Sequence, residues 1–153
     1  MAKVYIRGNP QKVGKEVIRE CSKFFLNHLL GRLSKNITVY INVIDNLYQD
    51  MNLYGDVMPI SDNRLPRKFT VRIDSSLGYK KMIVSLAHEC VHIKQYARKE
   101  LGYGNGGWLW NGVLYAYDKC DYWELPHEIE AIGREPGLYI KWAFFSHSGL
   151  KAA

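Results

Sequence analysis

Two stretches of the chain alternate between apolar and polar residues, which is the pattern of strands with one buried face. In residues 36–45 every second residue is Ile or Val, and in residues 68–74 Phe, Val and Ile alternate with Thr and Arg. Shorter strands are predicted at residues 3–6 and at residues 57–58. The second of these lies within residues 47–63, where Gly, Pro, Asp and Asn predict an otherwise irregular loop.

Apolar residues that recur every three or four positions predict two long helices. The first covers residues 13–33. The second covers residues 78–101, which contain no proline, and the Asp-Ser-Ser of residues 74–76 supplies candidate N-caps for it. Its predicted core-facing stripe consists of Met82, Leu86, Cys90, Ile93 and Ala97.

The segment after the second helix has the signals of a loop and then of a hairpin. Residues 102–107 contain four glycines and predict a flexible connection. Residues 108–115 contain Asn111-Gly112, a dipeptide that favours a tight turn between two strands. A further helix is predicted to begin at Pro126, because proline is well tolerated in the first turn of a helix.

These elements predict an α+β fold in which a small mixed sheet packs on helices. A chain of 153 residues suits a single domain, 1–153, with its own core. Its 47% hydrophobic and 24% charged residues are ordinary for a globular protein. No segment has the length of a membrane span or the apolar core of a signal peptide, so we expect a cytoplasmic protein with no membrane contact. We also expect a monomer.

The strongest indication of chemistry is the sequence His88-Glu89-Cys90-Val91-His92 in the second predicted helix. Residues four apart on a helix lie about 40° from each other, so the imidazoles of His88 and His92 can reach one ion. Glu89 lies between them in angle, where it can act as a general base without being a ligand. The alternative, two surface histidines beside a solvated glutamate, is disfavoured because the segment is so apolar. Cys90 faces the predicted core and is interpreted as a small buried hydrophobe.

A catalytic zinc site usually has a third protein ligand, and the last predicted helix offers candidates for it. Glu128 and Glu130 lie in its first turns but about 200° apart, so only one of them can reach the ion. His127 is a more distant candidate. Acidic residues in a first turn can instead compensate the helix dipole. His147, near the carboxyl end, is interpreted as an exposed residue.

An HExxH helix followed by a second helix that bears glutamate resembles the gluzincin zinc metallopeptidases. The Glu-Ile-Glu-Ala of residues 128–131 is similar to the Glu-x-x-Ala-Asp/Asn segment of several branches, which implies Glu128, ahead of Glu130, as the third zinc ligand. Minigluzincins and the ImmA/IrrE-like peptidases of phages and mobile elements are similar in length. The resemblance implies a zincin-like fold with an active-site helix and a glutamate helix. Ile132 stands where many relatives have Asp or Asn, so polar support for His88 is expected from Glu130 or a backbone carbonyl.

The resemblance implies a zinc-dependent metalloendopeptidase that acts on a peptide or protein substrate. Zn²⁺ would be held by His88, His92 and Glu128 and would activate a water molecule. Glu89 would accept the proton of that water and later pass it to the leaving amine. Related enzymes often stabilise the oxyanion with a tyrosine or a histidine. The candidates for this role are Tyr115, Tyr122 and His127.

Two other classes of function stay open. A peptidase fold can bind zinc and serve as a regulatory module, although binding alone does not need Glu89. The formal net charge of +6 would also suit a module associated with DNA or other nucleic acid. The basic residues are scattered along the sequence, however, and no basic run is interleaved with aromatic residues.

Overall fold

Four strands form a mixed sheet in the computed structural model of the chain, which describes residues 1–60 and 65–147. The strand order is β1-β2-β4-β3, and β1, β2 and β4 run parallel while β3 runs antiparallel to β4 at the edge. All four predicted strands are confirmed, and the one predicted at residues 57–58 is longer than expected. The strands are β1 (Lys3–Arg7), β2 (Thr38–Ile44), β3 (Gly55–Pro59) and β4 (Lys68–Asp74).

Within the described residues, three long α-helices and one short α-helix accompany the sheet. The first predicted helix ends earlier than expected, because the chain turns at Gly31 with a φ of 57° and continues as a short 3-10 helix. A positive φ is easily adopted by glycine, which lacks a Cβ atom. The helices are α1 (Lys15–Leu30), α2 (Leu47–Met51), α3 (Tyr79–Ala97) and α4 (Pro126–His147).

The inner face of this sheet packs on α1 and α3 and forms the core. Every second side chain of β2 is buried, as its alternating sequence predicts, because successive residues of a strand point to opposite faces. Burial of each large apolar side chain stabilises the fold by about 1.5–3 kcal/mol. The predicted stripe of α3 is confirmed, since all of its members are buried: Met82, Leu86, Cys90, Ile93 and Ala97.

A second, antiparallel sheet follows α3 and consists of β5 (Leu101–Gly104), β6 (Gly107–Trp110) and β7 (Val113–Ala116). The predicted hairpin is confirmed. Asn111 and Gly112 have φ values of 49° and 84°, which the tight turn between β6 and β7 requires. The prediction of a flexible connection over residues 102–107 is wrong, because pairing between β5 and β6 orders this segment as a strand and turn.

Two local predictions around the motif helix are also wrong. The expected loop of residues 47–63 contains the helix α2 as well as β3, and its residues 61–63 lie outside the described residues. The Asp-Ser-Ser of residues 74–76 does not cap α3, because Gly78 precedes the helix and no side chain caps it. Asp74 instead accepts hydrogen bonds from the backbone N–H groups of Tyr48 and Ser76, both at 2.8 Å. It thereby joins the end of β4 to α2.

The predicted fold class is confirmed: the described residues form one compact α+β domain with a small mixed sheet packed against helices. Across residues 1–60 and 65–147, no helix is both long and apolar enough to span a membrane.

Candidate metal centre

Two helices bring His88, His92 and Glu128 together. The Nε2 atom of His88 lies 3.1 Å from that of His92, and Oε1 of Glu128 lies 3.0 Å from the first and 3.2 Å from the second. Atoms bound about 2.0–2.2 Å from a tetrahedral zinc ion lie roughly 3.3 Å apart. The three side chains therefore fit one metal ion after a small outward movement. Two imidazoles and one carboxylate are also a common donor set for zinc in hydrolases.

The local sequence explains this convergence. His88 and His92 are one turn apart on α3 and so share a face of that helix. Glu128 lies in the first turn of α4, which packs against α3. The fully buried Ala131, one turn further along α4, has a small side chain that permits a close approach of the two helices. The structure places Glu128, and not Glu130, beside the two histidines.

The remaining ring nitrogen of His88 is held by a residue that the sequence pattern did not indicate. Nδ1 of His88 lies 2.8 Å from Oε2 of Glu135. A carboxylate here accepts a hydrogen bond from Nδ1–H and leaves the lone pair of Nε2 for a metal. The expectation that Glu130 or a backbone carbonyl would support His88 is therefore wrong. Glu135 follows Glu128 by seven residues, so two helical turns place both carboxylates on one face of α4.

A longer chain of contacts orients His92. Nδ1 of His92 lies 2.8 Å from Oε1 of Gln95, whose amide nitrogen donates to Oε1 of Glu130 at 2.9 Å. The same nitrogen donates to the carbonyl of His127 at 3.0 Å. These two acceptors fix the orientation of the amide, so its oxygen faces His92. Lys94, which is 7% exposed, lies 3.0 Å from Glu130 and neutralises its charge.

Electrostatics favour positive charge at the centre. Burial lowers the pKa of His88, but hydrogen bonds to Glu128 and Glu135 outweigh burial and raise it to about 10. Burial raises the pKa of Glu128, but its hydrogen bonds to His88 and His92 outweigh this and lower it well below its usual range. Glu128 is therefore ionised at neutral pH. A site that stabilises a proton in this way also offers a favourable potential to a metal cation.

Glu89 lies next to the cluster and is 6% exposed. Burial raises its pKa to about 7, although the two neighbouring histidines oppose this. The edge strand β3 approaches closely at Gly55, where a Cβ atom would lie 2.8 Å from the carbonyl oxygen of Arg72 and 3.7 Å from Cγ of Glu89. A residue larger than glycine would thus clash with the backbone of β4, whereas its distance from Glu89 would be an ordinary van der Waals contact.

A cleft of about 360 Å³ opens onto the centre. Its walls include Tyr122 and His127, two of the three residues predicted as oxyanion helpers, whereas Tyr115 lies on β7 and is not in the wall. Aromatic and aliphatic side chains form much of the rest of the wall. These are Leu53, Val57, Met58, Tyr96, Leu101, Tyr103 and Trp108.

His127 is buried against Trp108, with ring centroids 4.9 Å apart. Burial lowers its pKa to about 4, so it is neutral at physiological pH. Its Nε2 lies 3.7 Å from Oε2 of Glu128, which is too long for a direct hydrogen bond. His127 and the exposed His147, at the end of α4, do not belong to the cluster formed by His88, His92 and Glu128.

The comparisons with known proteins give no assignment: no family model, curated protein or solved structure matches this chain. The gluzincin resemblance of the motif therefore remains a hypothesis.

Proposed function

We propose that this protein is a zinc-dependent metalloendopeptidase of gluzincin type, in which His88, His92 and Glu128 hold the ion. The observation that carries the proposal is the convergence of these three donors beside the buried Glu89 in the wall of an open cleft. A zinc ion at this position supplies a Lewis acid that acidifies water and polarises a carbonyl group.

Glu89 is the general base of the proposed reaction. Its carboxylate accepts a proton from the attacking water and transfers it to the leaving amine. Glu135 and Gln95 hold His88 and His92 in the tautomer with a free Nε2. Tyr122 stands at the cleft, half exposed, where its hydroxyl group can donate to the oxygen of the scissile carbonyl.

The cleft wall also supports a preference for apolar substrates. Tyr96, Tyr103 and Trp108 form a continuous aromatic surface, with ring centroids 5.9 Å apart for the first two and 5.3 Å apart for the last two. Such a surface favours a peptide with a large apolar or aromatic side chain near the cleaved bond, because binding there removes apolar area from water.

The position of Glu89 favours an enzyme over a regulatory zinc module. Burial of a carboxylate is costly, and a site that only binds metal has no use for a base beside its ligands. A binding module on the same fold would be expected to tolerate an uncharged residue at this position.

The test compares wild type with Glu89→Gln and Glu128→Ala after expression with zinc. Metal content is measured by mass spectrometry, and peptide hydrolysis is measured with a quenched peptide library. We expect Glu89→Gln to keep one zinc per chain and to lose at least roughly 100-fold in rate. Glu128→Ala should lose most of its zinc. Glu16→Gln, at an exposed position on α1, is the matched control and should retain both properties.

The outcomes separate the alternatives. Zinc binding by wild type without hydrolysis of any library peptide would contradict the peptidase assignment and favour the regulatory module. An unchanged rate in Glu89→Gln would contradict the role of this residue as the base.

A further inference from the structure

The outer face of the four-stranded sheet carries a pattern that the metal centre does not explain. Alternate residues of β1 point away from the core, and Lys3, Tyr5 and Arg7 are all exposed. Tyr5 retains 49% of its surface, so its ring is accessible to a ligand. The helices α1 and α3 pack on the opposite face of the sheet and leave this one open to solvent at β1.

The strand register places two aromatic rings side by side near the β1 edge of this face. Tyr5 lies directly opposite Tyr40 of the neighbouring strand β2. Their rings stack with centroids 5.4 Å apart and an interplanar angle of 20°. The guanidinium of Arg7 lies 4.9 Å from the centroid of the Tyr40 ring. The Tyr40 ring therefore contacts both the ring of Tyr5 and the guanidinium of Arg7, while the Tyr5 ring stays exposed.

Basic residues flank this pair on both sides. In one row, Lys3 on β1 and Lys68 on β4 are separated only by Thr38 of β2. In the row on the other side of the tyrosines, Arg7 on β1 is followed by Asn42 of β2, Arg72 of β4 and Asp56 of β3. Asp56 is the one acid in these rows, and it pairs with Arg72.

We propose that this face binds single-stranded nucleic acid. Unpaired bases stack on exposed aromatic rings, and every base has a π-face that can do so. The basic rows are roughly 13 Å apart along the strands, which allows phosphates on either side of a base stacked on Tyr5 to meet a cation. A duplex hides the faces of its bases, and its major groove admits a helix or a two-stranded ribbon but not the face of a four-stranded sheet. The proposal needs no metal and is independent of the peptidase assignment.

The charge pattern alone would also suit an anionic lipid surface. The stacked tyrosines favour nucleic acid, because an electrostatic interaction with lipid headgroups needs only the cations. Residues that are far apart in the sequence, between positions 3 and 72, therefore lie together on one basic and aromatic surface.

The test is fluorescence anisotropy with labelled oligo-dT and oligo-U, a matched duplex, and vesicles of phosphatidylserine and phosphatidylcholine. At roughly 50 mM salt we expect micromolar binding of the single strands that weakens as salt rises. Tyr5→Leu should weaken binding at least roughly fivefold, because a base loses its stacking partner, whereas Tyr5→Phe keeps the ring and should bind like wild type.

A second experiment tests the basic residues through the salt dependence of binding. Lys3→Gln with Lys68→Gln should reduce the slope of log affinity against log salt by about 0.7 for each phosphate that no longer meets a cation. Lys15→Gln with Lys119→Gln removes the same charge at exposed positions outside this face and should leave the slope unchanged. Circular dichroism verifies that each variant is folded.

Four outcomes would overturn the proposal. They are absence of single-strand binding at low salt, tighter binding of the duplex, equal affinity of Tyr5→Leu and wild type, and binding of the vesicles but not of the oligonucleotides.

Discussion

Glu135 lies 2.8 Å from Nδ1 of His88, a residue 47 positions earlier in the chain. This hydrogen bond matters because it sets which nitrogen of the imidazole faces the metal centre. Glu135 thereby gives His88 a carboxylate partner from α4, one turn after the apolar Ile132.

We expect Glu135→Gln to lower zinc affinity roughly 10- to 100-fold, because the neutral amide is a weaker acceptor for Nδ1–H and makes His88 a poorer ligand. Competition with a chromophoric chelator measures the affinity. Glu124→Gln, at an exposed position before α4, is the control and should bind zinc like wild type. Equal affinity in Glu135→Gln and wild type would show that this hydrogen bond does not tune the site.

Glu130→Gln should lower zinc affinity less than Glu135→Gln, by under about tenfold. Glu130 acts on His92 only through Gln95, and a glutamine at position 130 can still accept the hydrogen bond from that amide. Lys94 would keep Glu100, at 2.8 Å, as its acidic partner. The same chelator assay ranks the two variants. A larger loss of affinity in Glu130→Gln than in Glu135→Gln would contradict this order.

Asp74→Asn should destabilise the fold by about 2 kcal/mol at neutral pH, because hydrogen bonds to the charged carboxylate are replaced by weaker ones. Burial raises the pKa of Asp74, but hydrogen bonds from Ser76 and Tyr48 outweigh this and lower it below the usual 3.8. The carboxylate therefore contributes stability above pH 3.8, and this contribution disappears as the pH falls through the lower folded-state value.

Urea unfolding of wild type and Asp74→Asn at neutral and at acidic pH tests this dependence. The difference in the free energy of unfolding should be largest near pH 7 and should shrink in acid, where both side chains are uncharged. A difference that stays constant with pH would mean that the charge of Asp74 is not responsible.

Tyr103→Ala should reduce kcat/KM for peptides with a large aromatic side chain by roughly 2- to 10-fold, because the variant removes one ring of the aromatic wall. Tyr103 is 52% exposed, so the substitution should leave the fold intact, although it removes the acceptor of the hydrogen bond that the Tyr96 hydroxyl donates at 3.0 Å. Peptides with alanine at the same position serve as the comparison and should be cleaved at an unchanged rate. If both peptide classes lose activity equally, the ring does not contribute to specificity.

The sequence predicted those parts of the structure that depend on short spacings. The alternation of β2 and β4, the apolar stripe of α3 and the Asn111-Gly112 turn all follow from residues a few positions apart. The shared face of His88 and His92 has the same origin, because helical geometry alone determines it.

Interactions between distant residues were harder to predict. Gln95 is three residues from His92, but nothing in the local sequence shows that Glu130 and the carbonyl of His127 orient its amide. The position of Glu135, seven residues after Glu128, indicates only weakly that the two carboxylates share a face of α4. The contact of Glu135 with His88 depends on the packing of α4 on α3, which the sequence does not show. The sequence does not predict the strand β5, because glycine has a low preference for strands. The hydrogen bonds that β5 makes with β6 outweigh this low preference.

The division of the candidate centre between α3 and α4 has a consequence for protein synthesis. Glu128 is 36 residues after His92, so at roughly 5–20 residues per second it is made about 2–7 s later. A growing chain therefore carries both histidines and Glu89 before it has the third donor. If the centre hydrolyses peptides, this delay keeps a nascent chain inactive until α4 has left the ribosome and docked on α3.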